Sequence, residues 1–273
     1  MATVTDMDMA TVMVMRNQKN NEEHLSTDFM ISFFTGKKNI LHTGLLEKMG
    51  DIHCHLLPGV DDGVKTEDEA IDSFIALREM GVRSFILTPH VMEEISNNTR
   101  TVLEGHFNCF LSKVPEGVEV RLAAEYMLDA NFLTHMKDGL LSMGDNFVLV
   151  ETSYLSPPPE MQDMIYEILL NGYQPILAHP ERYVYMTDKD YVRWKQVGCK
   201  FQLNLLSLSG YYGRSALLSA HKLIKKGFYD FVGSDFHNLK KYKEGLKHLY
   251  LSSSERKEIE KLLVNNQNLM GDS

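Results

Sequence analysis

From residue 51 onward, short runs rich in β-branched and aromatic residues alternate with longer stretches of helical period. Seven runs predict strands: "DIHCH" at 51–55, "SFILTPH" at 84–90, "VEVRLAAE" at 118–125, "NFVLVE" at 146–151, "QPILAH" at 174–179, "KFQLN" at 200–204 and "DFVGSD" at 230–235. Between the first two lies the clearest helix signal. Thr66 and Glu69 stand in a T-x-x-E capping box, Ile71, Phe74, Ile75 and Leu77 form an apolar stripe, and Gly81 suits the stop. Further helices are expected from about Glu160 to Leu170 after the rigid "SPPP", and from about Ser215 to Lys226. An amphipathic closing helix is expected over "SSERKEIEKLLVNN". Strands alternating with crossover helices predict an α/β fold built on parallel strands.

Six of the seven runs finish on His, Glu or Asp: His53 with His55, His90, Glu125, Glu151, His179, and Asp235 with His237. In a parallel α/β barrel the C-terminal strand ends converge on one face, so these side chains meet although their sequence positions do not. A strand alternates faces, which sends His53 and His55 to one side and Cys54 to the other, against a helix. Any one such residue is more often a satisfied structural group than a ligand. Taken jointly, several carboxylates at one place demand compensating cations, and divalent metals meet that demand economically. His24, His42, His106, His135, His221 and His248 fall in loops, on helical patterns or near the N-terminus, and read as surface or structural histidines.

Composition narrows the function. The 273 residues are 44% hydrophobic, enough for one large core, and a formal charge of -9 argues against a nucleic-acid surface. No apolar stretch approaches the roughly 20 residues of a membrane span. The three cysteines, Cys54, Cys109 and Cys199, are odd in number and scattered, which suits a reducing compartment and hence the cytoplasm. A cysteine-dependent phosphatase needs C-x5-R, but Val60, Pro115 and Leu205 stand six residues after the three cysteines. Residues 1–30, methionine-rich and then polar, hold no period and are expected to form a disordered extension.

The ordered set "DIHCHLLPGVDDG", "TPH", "AAEY", "LVETSY", "AHPERY" and "GSDFHN" resembles the PHP (polymerase and histidinol phosphatase) superfamily. Within it, the set is similar to the bacterial protein-tyrosine phosphatases of capsule and exopolysaccharide operons. The resemblance implies a distorted seven-stranded (β/α)7 TIM-like barrel of the PHP type, a single domain over residues 49–265. It implies three divalent metals, manganese first, with iron or zinc as alternatives. Carried over by motif, one metal takes His53, His55, Glu125 and Asp235, a second Glu125, Glu151 and His179, and a third Asp62, His90 and His237. Arg182 in "HPERY" then holds the phosphate. The implied activity is hydrolysis of phosphotyrosine by a metal-activated hydroxide, on a tyrosine kinase of capsule or exopolysaccharide export. A small-molecule phosphatase such as one for histidinol phosphate shares these motifs and is the alternative. One departure stands out: some relatives carry an arginine after the final D-x-H-N, where this chain has Lys240, Lys241 and Lys243.

Overall fold

The computed structural model describes residues 36–271; the expected extension at 1–30 lies outside them. After β1 (Lys38–Asn39), the parallel strands begin with β2 (Gly50–Cys54). The crossover helix α1 (Glu67–Glu79) follows, and its start and stop obey the sequence signals. Thr66 Oγ1 accepts from the Glu69 N–H at 3.2 Å, and Gly81 takes φ +106° with its Cα side pressed against the Glu47 backbone. The expected capping box is only half formed, because the Glu69 carboxylate accepts from the N–H of Lys65 rather than of Thr66.

Two of the seven expected runs are each split. The run at 84–90 becomes β3 (Ser84–Leu87) and β4 (His90–Val91), separated by Pro89, which has no N–H for a ladder. After α2 (Arg100–Leu111), the run at 118–125 becomes β5 (Glu119–Leu122) and β6 (Glu125–Met127). The breaks align, and backbone bonds run across them: Ala123 N–H donates to Leu87 O at 2.8 Å and Glu125 N–H to Pro89 O at 3.1 Å. The chain continues through α3 (Phe132–Lys137), β7 (Phe147–Glu151), α4 (Met161–Leu170), β8 (Gln174–Ala178), α5 (Asp188–Val197), β9 (Lys200–Asn204), α6 (Arg214–Lys225), β10 (Phe231–Gly233), α7 (Leu239–Lys247), β11 (Tyr250–Leu251) and α8 (Ser253–Met270).

The result is a mixed α/β fold with parallel sheets. One sheet has the order β2-β3-β5 and the other β10-β9-β8-β7-β6-β4, while β1 and β11 form a short antiparallel pair. The first and last strands of the parallel series also touch. Asp235 N–H donates to His53 O and His55 N–H to Phe236 O, each at 2.8 Å.

Two apolar clusters flank the strands. The larger packs strand residues against the helices. The smaller takes Ile52, Ile86, Leu149, Ile176 and Phe231 from successive strands, closed by Leu269 and Met270 at the end of α8. Ile52 belongs to the smaller cluster and Cys54 to the larger, although regular alternation would keep residues two apart on one face. A register shift between Asp51 and Cys54 against β3 accounts for the change. Packing also reaches outside residues 49–265. Ile40, Leu45 and Leu46 are buried, Asn39 Nδ2 donates to Leu246 O and Lys247 O, and α8 continues to Met270.

Helix α8 is fastened by a full capping box between Ser252 and Glu255, and by one buried amide. Asn266 Nδ2 donates to Gly50 O at 2.8 Å and to Val232 O at 2.6 Å, while its Oδ1 accepts from Val232 N–H at 3.2 Å. One side chain thereby joins β2 to β10. Asn266→Ala strands these backbone groups in an apolar setting and should cost about 2–4 kcal/mol of stability. Chemical denaturation checks this; a loss under about 0.5 kcal/mol would show that water replaces the amide.

Candidate metal centre

The strands of the parallel series and the turns just after them bring polar side chains to one region. His53 and His55 come from the end of β2, His90 from β4, Glu125 from β6, Glu151 from β7, His179 from just after β8, and Asp235 with His237 from just after β10. Asp62 reaches in from the loop after β2 and is the open member, its side chain 69% exposed, whereas Glu125, His53 and His55 have none exposed. His179 (φ 35°) and Asp235 (φ 51°) are the described non-glycine residues with left-handed backbone. Such strain persists where the surroundings over-determine it. Close approach also dictates glycine. A Cβ at Gly233 would lie 2.6 Å from the Cβ of His53, and one at Gly63 2.2 Å from the carbonyl oxygen of His55.

Hydrogen bonds on the outer side of the rings fix which nitrogen faces inward. Gln202 Oε1 can only accept, so the facing His53 Nδ1, 3.0 Å away, carries the hydrogen. Asp61 Oδ2 does the same for His55 Nδ1 at 2.7 Å, and the Asp235 carbonyl for His237 Nδ1 at 3.0 Å. Each ring therefore turns its Nε2 lone pair inward. There His53 Nε2 lies 3.1 Å from Glu125 Oε2 and 3.4 Å from Asp235 Oδ1, and His55 Nε2 is 3.3 and 3.5 Å from the same two oxygens.

The electrostatics call for positive charge at this point. Burial would hold the His53 pKa down, yet the carboxylates of Glu125 and Asp235 raise it to about 9. His55 is likewise opposed by burial and driven well up, by Asp61 first. Burial would raise the Glu125 and Asp235 carboxyls, but the surrounding imidazoles pull both well below the usual range. Protons on the imidazoles would meet this charge best through aligned hydrogen bonds. His90 Nδ1, Glu125 Oε2, Glu151 Oε1 and His179 Nδ1 are buried without a hydrogen-bond partner. His90 Nδ1 is nonetheless 3.0 Å from Glu151 Oε1 and 3.3 Å from Glu125 Oε2. Short contacts between misaligned donors suit a non-directional cation, and this oxygen and imidazole set fits a divalent ion of the manganese, iron or zinc type.

Three groups of potential ligand atoms each lie within 4.8 Å of one another: His53, His55, Glu125 and Asp235; His55, Asp62, His90 and His237; and His90, Glu125 and Glu151. The first coincides with one set that the sequence resemblance implies. In the second His55 joins the expected three, and in the third His90 stands where His179 was expected. His179 is adjacent, its Nε2 3.2 Å from Glu125 Oε1 and 3.9 Å from Glu151 Oε2.

A cleft of about 380 Å³ opens over these groups, with Arg182, Tyr154, Tyr212 and Lys241 in its wall. Arg182 Nη1 donates to Asp235 Oδ2 at 2.7 Å, and Asn204 Nδ2 donates to the same oxygen at 2.8 Å. Asn238, the last residue of "DFHN", caps α7 by accepting from Lys241 N–H. Cys54 is fully buried, its thiol donating to Ile86 O at 3.4 Å, and burial pushes its pKa well up. The residues that sequence reasoning passed over are Asp61, Gln202 and Asn204. Asp61 adjoins Asp62 in "VDDG", and the two amides sit in the strand run "KFQLN" among apolar neighbours. A polar side chain at a position otherwise matching a buried strand was the available signal.

The chain is 30% identical over 204 residues to the tyrosine-protein phosphatase YwqE of Bacillus subtilis, spanning 70% of this chain and 78% of that protein. It is 26% identical over 208 residues to the tyrosine-protein phosphatase CpsB of Streptococcus agalactiae, spanning 70% and 84%. Among solved structures, one from a study of YwqE of Bacillus subtilis and CpsB of Streptococcus pneumoniae, described as metal-dependent tyrosine phosphatases, superposes with a TM-score of 0.65 at 25% identity. That match covers 80% of this chain and 95% of the other. The family model for capsular polysaccharide synthesis, CpsB/CapC, matches residues 49–270, and the chain belongs to that family.

Proposed function

We propose that this chain is a metal-dependent tyrosine-protein phosphatase. The observation that carries the reading is the convergence of buried imidazoles and carboxylates, several without hydrogen-bond partners, beside an arginine at the wall of an open cleft. In this reading the two parallel sheets form one distorted seven-stranded ring, a (β/α)7 barrel over residues 49–265. The joined ends of β2 and β10 and the aligned breaks in β3/β4 and β5/β6 support it. The site takes three divalent ions, manganese first, held by His53, His55, Asp62, His90, Glu125, Glu151, His179, Asp235 and His237. His90 and His55 then each face two groups.

Divalent ions in such a site supply Lewis acidity, polarising phosphoryl oxygens and lowering the pKa of water. The chain's own residues do the rest. Asp61 and Gln202 keep the His55 and His53 rings in one tautomer. Arg182 offers its remaining N–H donors to the phosphoryl oxygens, where transition-state charge collects. Burial pushes the phenols of Tyr154 and Tyr212 well up, so both stay protonated and add no negative charge beside the phosphate. A departing phenolate, with a parent pKa near 10, needs less help from an acid than an alkoxide. The substrate is a phosphotyrosine protein, a tyrosine kinase of capsule or exopolysaccharide export, met in the cytoplasm. Among the described residues no helix is long and apolar enough to cross a membrane. Parallel assays on a phosphotyrosyl peptide and on histidinol phosphate, with each metal in turn, test the reading; preference for histidinol phosphate would favour the small-molecule alternative.

Cys54→Ser should keep most of the activity, since the thiol is buried against Ile86 and faces away from the cleft. A hundredfold loss at unchanged metal content would contradict metal-assisted hydrolysis.

Arg182→Ala and His179→Ala should fail differently. The first removes a phosphate contact and should lose about 2–4 kcal/mol of transition-state stabilisation while keeping its metal. The second removes a ligand and should lower metal occupancy along with rate. Elemental analysis beside steady-state kinetics separates them, and equal metal loss in both would remove Arg182 from its phosphate role.

A further inference from the structure

The Arg182 guanidinium packs against two aromatic rings. Its central carbon lies 4.3 Å from the Tyr154 ring centroid and 4.1 Å from that of Tyr212. Each ring has aromatic neighbours of its own. Tyr154 stacks on Tyr183 at 6.1 Å with the planes 25° apart, and Tyr183 on Tyr185 at 5.7 Å and 20°, while Tyr211 meets Tyr212 edge-on at 4.8 Å. Residue 152 anchors the far end, where Thr152 N–H donates to Tyr183 Oη at 3.2 Å and its hydroxyl meets that of Tyr185 at 2.6 Å.

A guanidinium carries its N–H donors in its plane and none on its faces. Two rings can therefore hold it by cation–π attraction without consuming a donor. One edge is used on Asp235 through Nη1. The cation is thus held at three places in the wall of the cleft. We infer that Tyr154 and Tyr212 are positioning residues that hold the Arg182 plane for the phosphoryl group, acting through their rings and not through their hydroxyls. The inference rests on the phosphatase reading. A guanidinium held in advance loses less freedom on binding phosphate.

The arrangement separates ring from hydroxyl. The Tyr212 hydroxyl reaches Asp235 Oδ2 only at 3.4 Å, the long limit of a hydrogen bond, behind the shorter contacts of Arg182 and Asn204. Loss of that hydroxyl should matter far less than loss of the ring.

The test uses the full-length, metal-loaded protein with Phe and Leu at positions 154 and 212, alone and combined, in both the parent and the Arg182→Lys background. The readouts are kcat and KM on a phosphotyrosyl peptide, inhibition by inorganic phosphate, elemental analysis and melting temperature. Tyr→Phe should keep at least roughly a third of kcat/KM, whereas each Tyr→Leu should lower kcat/KM and weaken phosphate inhibition by about tenfold at unchanged metal content. In the Arg182→Lys background, where no plane remains to hold, the Leu changes should add little. The inference is overturned by Leu variants that bind phosphate like the parent, by Leu effects of equal size in the Lys background, or by metal loss that accounts for the rate. Should the double Leu variant not fold, the two single ones carry the same test. A parent that hydrolyses no phosphotyrosyl peptide and binds no phosphate with any metal defeats the phosphatase reading, and this inference with it. An active parent with neutral Leu variants defeats the inference alone.

Discussion

Glu125 is a fully buried carboxylate with four imidazoles around it: His53, His55 and His90 at 3.1–3.3 Å from Oε2, and His179 at 3.2 Å from Oε1. A buried charge of this kind is tolerable only if opposite charge meets it closely. Much of the surrounding backbone is shaped by that requirement. Gly233 and Gly63 leave out a Cβ so that His53 and His55 can stand where they do. The register shift in β2 turns Ile52 to the inner apolar cluster and still delivers both histidines to the cleft. The two aligned breaks carry His90 and Glu125 onto paired positions of neighbouring strands. Strained backbone at His179 and Asp235 aims the last two donors.

Such a site destabilises the fold locally, so stability has to come from elsewhere. The lower half of the strands is lined by Ile52, Ile86, Leu149, Ile176 and Phe231, sealed by the end of α8. The outer faces pack on the helices through the larger cluster. Polar groups in these apolar parts are few and paired, Asn266 being the clearest. The division follows the strand direction: apolar side chains in the strand bodies hold the structure, and polar side chains gather towards the C-terminal ends.

The same division explains what the sequence discloses. An apolar run that ends on His, Glu or Asp breaks its own pattern at one point; that break picked out His53, His55, His90, Glu125, Glu151, His179, Asp235 and His237, while Asp62 came from the family resemblance, and the fold brings all of them together. The seven strand regions were legible for the same reason. The supporting residues were not. Gln202 sits mid-strand, where alternation allows a polar residue without comment, and Asp61 looks like the neighbour of Asp62 although it is Asp61 that fixes His55. Helices α2, α3, α5 and α7 escaped because their buried stripes are thin: Leu103 with Phe110, Phe132 alone, Tyr191 with Trp194, and Tyr242 with Leu246. The pairing of His90 with two donor groups depends on both ring nitrogens, which no spacing rule addresses.

Asp235 joins the two halves of the proposed chemistry. Its Oδ1 faces the nitrogens of His53, His55 and His237, while its Oδ2 accepts from Arg182 and Asn204. One carboxylate thus touches the imidazoles and Arg182 at once. In the proposed reading, a cation on the Oδ1 side would withdraw charge from the carboxylate and weaken its hold on Arg182, freeing guanidinium donors for a phosphoryl group. Phosphate on Arg182 would in turn return carboxylate charge to the cation side, and by reciprocity the two binding events would favour each other. The rings of Tyr154 and Tyr212, with centroids 4.3 and 4.1 Å from the guanidinium carbon, would limit how far Arg182 moves when that hold is loosened.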